Sequence, residues 1–109
     1  MYKLVFFVPE DHAEVVKAAV FAAGAGRQGN YDSCCWQSSG RGQFRPLGGS
    51  KPFIGQQDQL ETVAELRIET ICDPACMTAV VGALRKAHPY EEPAFDILPL
   101  LDEASLKGE

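Results

Sequence analysis

The stretch AHPYEEPAF, residues 87–95, gathers His88, Tyr90, Glu91 and Glu92 around two prolines. An imidazole and two carboxylates so close together could hold a divalent cation or move a proton. His88, Glu91 and Glu92 are therefore the candidate metal ligands. No partner nucleophile is visible beside them, which weighs against covalent catalysis. The competing reading is mechanical. Pro89 pushes His88 out of helical geometry, and an imidazolium is favoured at a helix C-terminus, so the histidine could simply close a helix while Tyr90 anchors the turn.

A second stretch, GAGRQG at 24–29, has the spacing G-x-G-x-x-G. In a dinucleotide fold that pattern follows a strand and opens a helix whose N-terminus holds the pyrophosphate. Here it follows a helical pattern and precedes a strand pattern, so the glycines are read as a helix stop and a turn. Arg27 in that turn is a candidate anion contact. Basic residues are dense nearby: Arg27, Arg41, Arg45 and Lys51 face a single acid, Asp32, whereas Asp58 to Asp73 holds five acids and only Arg67. The cysteines, Cys34, Cys35, Cys72 and Cys76, match no zinc-finger spacing and are expected to be reduced and mostly buried, with a Cys72–Cys76–histidine metal site as the lesser alternative. His12, flanked by acids, is expected to be exposed, and Trp36 to serve the core or an interface.

Positioning these groups requires the following elements. Residues 2–8 are β-branched and aromatic enough for a strand. A helix follows, with Asp11 and Glu14 spaced as a capping box, an apolar face of Val15, Val16, Ala19, Val20 and Ala23, and Gly24 as its left-handed stop. YDSCCWQ, 31–37, reads as a second strand. TVAELRIETIC is a third, with Ala64, Leu66 and Ile68 alternating against Glu65, Arg67 and Glu69. Residues 38–60 read as a long glycine-rich excursion, with GQFRP as a short strand inside it. Asp73 and Pro74 start a second helix, striped by Met77, Val80, Val81 and Leu84, and a last strand covers 94–100. The order βαββαβ is the α+β split-βαβ, or ferredoxin-like, plan. Its helices cover one sheet face, and Val5, Phe7 and Ile71 are expected on the other, which invites self-association.

The 109 residues, 46% hydrophobic, suit one domain, 1–101, with a polar tail at 102–109. A formal net charge of -5 argues against nucleic acid or an anionic membrane as partner. No signal-peptide pattern and no apolar run of spanning length is present, so the expectation is a cytoplasmic protein.

Several stretches together, GAGRQGNYDSCCW, GQFRP, KPFIG, LETVAELRIE and AHPYEEPAFDILPL, resemble the insert domain of the Nif-three-like (YqfO-like) dinuclear-metal-centre family. Gln28 and Cys35–Trp36 depart from the usual pattern, which bears on local packing. The resemblance implies a CutA/PII-like fold and a homo-oligomer, specifically a trimer. In two-domain relatives this piece resembles a trimeric cap over a ring whose main domain holds two metals. Those metal ligands lie in segments without a counterpart here. The function implied is a non-catalytic oligomeric module, occurring as a free-standing protein, that binds an unknown small molecule or anion or has a regulatory role. Arg27, Asn30, Tyr31, His88, Tyr90, Glu91 and Glu92 are its candidate ligand-binding residues. The alternative is a divalent-metal-binding protein or metal-dependent hydrolase using the HPYEEP turn.

Overall fold

The computed structural model describes residues 1–101 and 103–106. Strands β1 (Tyr2–Pro9), β2 (Cys35–Phe44), β3 (Glu61–Cys72) and β4 (Phe95–Pro99) alternate with helices α1 (Ala13–Ala22) and α2 (Met77–Ala87) in the order βαββαβ. They make one antiparallel sheet, ordered β2-β3-β1-β4. Side chains alternate across a strand, so Leu4, Phe6 and Val8 of β1 and Ile68 of β3 share the helix-facing side. There they meet Val16 and Val20 of α1 and Val80 and Leu84 of α2, and all eight are fully buried. The expected α+β plan is thus what these apolar periods build. Of the expected 102–109 tail, Glu103–Ser105 form a short 3-10 turn, and Asp102 and 107–109 lie outside the described residues.

The two helix starts differ. Asp73 caps as expected: its Oδ1 accepts from the Ala75 amide at 2.8 Å, with Pro74 opening a 3-10 turn that runs into α2. The capping box of Asp11 and Glu14 does not form. Residues Glu10–His12 coil into a 3-10 turn straight after Pro9, so Asp11 lies inside the turn rather than before it. Its carboxylate pairs with His12 Nδ1 at 2.9 Å, and Glu14 takes Lys17 at 3.0 Å instead. Gly24, at φ +122, ends α1, and a side chain there would strike Cys76 Sγ.

The second strand begins at Cys35 and runs through Phe44, later and longer than the expected 31–37. Tyr31 instead closes a tight turn with Gln28, helped by Gly29 at φ +57. Because β3 is twelve residues long, it pairs β2 all the way to Phe44–Glu61, absorbing much of the expected excursion and leaving a loop at 45–60. The hairpin outruns β1, whose pairing with β3 stops at Pro9–Glu65. Beyond that point residues 41–44 and 61–64 project as a two-stranded arm.

The face without helices carries Lys3, Val5 and Phe7 of β1 with Arg67, Glu69 and Ile71 of β3, as expected. It is less bare than alternation alone implies. Lys3 and Arg67 pair with Glu69 at 3.4 and 3.6 Å, and the Arg67 guanidinium lies 5.9 Å above the Phe7 ring. Long charged side chains thereby help bury Val5, which is 3% exposed. Trp36, on the same face beside Glu69, stays 62% exposed. The four cysteines are free, but only Cys72 is buried, and Cys35 on the sheet edge is exposed.

Candidate functional site

The last turn of α2 delivers His88 to the end of β1, where its backbone amide still bonds Leu84 while Pro89 sends the chain away. The Tyr90 amide donates to His88 Nδ1 at 3.1 Å, which places the ring proton on Nε2, and Nε2 donates to the Phe7 carbonyl at 2.7 Å. Both nitrogens are therefore occupied within the fold. Burial lowers the affinity of His88 for a second proton; the Phe7 carbonyl and the Glu65 carboxylate oppose that effect, and His12 adds to it. A metal on this histidine would need a free lone pair, and the neutral ring as held here has none to give. Among the described residues no group of three or more His, Cys, Asp or Glu is placed to hold a metal ion, so neither His88–Glu91–Glu92 nor Cys72–Cys76–histidine converges as a metal set.

Tyr90 passes over the end of β1 to the projecting arm, and its hydroxyl donates to Glu65 Oε2 at 3.0 Å. Burial first, then Glu65, pushes the phenol well above its ordinary range, so it remains a donor. Its ring lies 5.0 Å from that of His88, 5.8 Å from Phe44 and 6.4 Å from Phe53. Glu65 approaches β2 closely because position 42 has no side chain: a Cβ on Gly42 would overlap the carboxylate. Glu91 turns to the loop, where its Oε1 accepts from the Lys51 amide at 2.7 Å.

These contacts wall a cleft of about 780 Å³ between the arm, loop 45–60 and the HPYEEP turn. Tyr90, Glu91 and Glu92 line it, as do Phe44, Phe53, Arg41, Arg45, Glu65 and Arg67, while His88 supports it from behind. The other expected residues lie elsewhere. Arg27, Asn30 and Tyr31 line a small separate pocket with Gly29 and Asp32. That turn is tied to the far end of β3 through Gly26 and Ile71, whereas Tyr90 bonds Glu65 on the same strand; six residues of strand are about 20 Å. The seven candidates are thus two groups at opposite ends of the sheet. Sequence reasoning left Phe44, Phe53 and Glu65 out of the site, and only the basic run containing Arg41 and Arg45 hinted at that wall.

No family model matches the chain. Over 108 residues it is 50% identical to a GTP cyclohydrolase 1 type 2 homolog from Halalkalibacterium halodurans, covering 99% of this chain and 29% of that protein. The chain's homologues are GTP cyclohydrolase 1 type 2 homologs. It spans less than a third of these homologs' length and matches a domain-sized stretch of them. In structure it is similar to a Bacillus cereus protein related to NIF3, at 46% identity and TM-score 0.79, covering 93% of this chain and 26% of that one. The PII-like protein CutA from Nostoc sp. PCC 7120 shares the fold at TM-score 0.67 and 16% identity, covering 97% of this chain and 86% of that one. So does a divalent cation tolerance protein from Thermus thermophilus, at TM-score 0.65 and 17% identity, covering 94% and 86% respectively. The resemblance to Nif-three-like proteins and the CutA/PII-like fold expected from the sequence are both found.

Proposed function

We propose that this chain is a non-catalytic, oligomeric module that binds a small ligand in the cleft beside the HPYEEP turn. The observation that carries the reading is the cleft itself, about 780 Å³, a volume typical of small-molecule sites, with aromatic rings and a few charged groups on its walls. The HPYEEP turn is built as a joint that shapes this cleft: His88 locks it to β1, Tyr90 to β3 and Glu91 to the 45–60 loop. Self-association is supported by the outer edges of β2 and β4, which among the described residues pair with no further strand, and by the exposed Trp36. A trimer is the closed arrangement we favour. The free thiols suit a reducing compartment, and we place the protein in the cytoplasm.

A thermal-shift screen of nucleotides, small anions, amino acids and divalent cations tests the reading. Divalent cations are included because a fold neighbour is named a divalent cation tolerance protein, and Glu92 with the second oxygen of Glu91 could meet one. A ligand at about a hundred times its Kd should stabilise the fold by about 2.7 kcal/mol. Stabilisation that persists when the cleft is filled by Gly40→Leu would put the ligand elsewhere and overturn the assignment of this site.

A further inference from the structure

Resting on that ligand-binding reading, we propose that the cleft takes a planar aromatic molecule carrying an anionic group at one end and N–H donors at the other. The floor is Gly40, which pairs with Glu65 and shares its sheet face; a Cβ built there meets no atom within 4 Å, so the strand lies open to the cleft. On the cleft wall the Phe44 and Phe53 rings lie 5.8 and 6.4 Å from the Tyr90 ring, a surface suited to another flat ring. Charge then sets the orientation. On the β2 side, Arg45 lines the cleft, and among the described residues it makes no hydrogen bond or ion pair, whereas Arg41, paired with Ala64, falls on the sheet face opposite Gly40. A guanidinium left over in this way matches the paired oxygens of a phosphate or carboxylate. On the turn side are carboxylates. Glu91 keeps one oxygen beyond its bond to Lys51, and Glu92 is without a partner among the described residues, so both can accept N–H donors from a ring edge. An uncharged apolar ligand would leave both sets unanswered, and a metal ion would use the carboxylates alone.

The test measures binding to the full 109-residue chain by calorimetry, with four probes: guanosine monophosphate, para-aminobenzoate, guanosine and inorganic phosphate. Guanosine monophosphate and para-aminobenzoate unite a ring, N–H donors and an anion, and their relative affinities tell a nucleotide from a small aromatic acid. At least one of them should bind about tenfold more tightly than guanosine and phosphate alone. Arg45→Gln should weaken that binding by about tenfold while leaving the melting temperature of the free protein unchanged. Gly40→Leu, whose Cβ meets no protein atom within 4 Å, should remove binding with the fold intact. Phosphate binding as tightly as the ring-bearing anions, or indifference to the Arg45 change, overturns the proposal. If guanosine or a divalent cation binds in a Gly40→Leu-sensitive manner while the ring-bearing anions do not, this ligand class fails and the cleft reading survives. If no probe of any class shows Gly40→Leu-sensitive binding, both fail.

Discussion

His88 shows how one side chain can look catalytic and be structural. Its two nitrogens are spent on Phe7 and Tyr90, and adding a proton to Nδ1 would turn the acceptor of the Tyr90 amide into a donor. Burial holds its folded-state affinity for that proton below the ordinary value of about 6.5. As pH falls, the unfolded chain therefore protonates first, and the folded state loses its advantage. The His88 contribution to stability should be fully present above about pH 6.5 and decline as pH drops toward the lowered folded-state value. Urea midpoints measured from pH 8 to pH 5 should show this decline, and His88→Gln should flatten it; an equal slope in both proteins would count against the role given to the ring. Gly42 carries a related prediction. Gly42→Ala forces the Glu65 carboxylate aside and breaks its bond from Tyr90, at a cost of about 1–3 kcal/mol. Gly40→Ala, two residues along the same strand, meets open space and should be tolerated. Equal stability of the two alanine variants would remove the case for close approach at Gly42.

At the level of elements, the decisive feature is the length mismatch between β1 and the β2–β3 hairpin. A β1 strand that stops at Pro9 leaves a two-stranded arm for Tyr90 to lean against, and the 45–60 loop returns from its tip to meet Glu91. The helices are held more conventionally. Asp73 satisfies an otherwise free amide at the start of the turn leading into α2, so Asp73→Ala should lower stability by about 1 kcal/mol. Asp11→Ala should cost far less, since Asp11 caps nothing and its contact with His12 is exposed. A pair of thermal or urea denaturation curves checks the ranking, and equal losses would refute it.

For the whole molecule, the question is what covers the remaining apolar surface. Trp36 sits 62% exposed on an edge strand, Leu98 is 44% exposed on the opposite edge strand, and both point to the face without helices. A closed trimer would bring such edges together between copies. Light scattering at micromolar concentration should then give three times the chain mass of 11.9 kDa, and Trp36→Glu should shift the population toward monomer. A monomer at that concentration would sink the trimer.

The sequence alone determined the order of elements and the core. Apolar periods of two and of three to four residues are local properties, and they marked β1, α1, β3 and α2 along with Ile68 and Leu84 before any contact was known. Its closing HPYEEP segment was legible as a special joint because two prolines restrict the chain there whatever surrounds them. What only the tertiary structure decided was partnership. Nothing in residues 87–95 says that His88 will spend its nitrogens on Phe7, 81 residues away, or that Tyr90 will find Glu65 rather than bind beside Arg27 and Tyr31. Likewise residues 38–41 read as part of a glycine-rich excursion, with GQFRP only a short strand within it, and 38–44 joined one long strand because β3 offered a row of backbone hydrogen-bonding groups to pair with. Long-range hydrogen bonds and strand register depend on where distant segments meet, and that meeting is settled when the sheet and helices pack around one core.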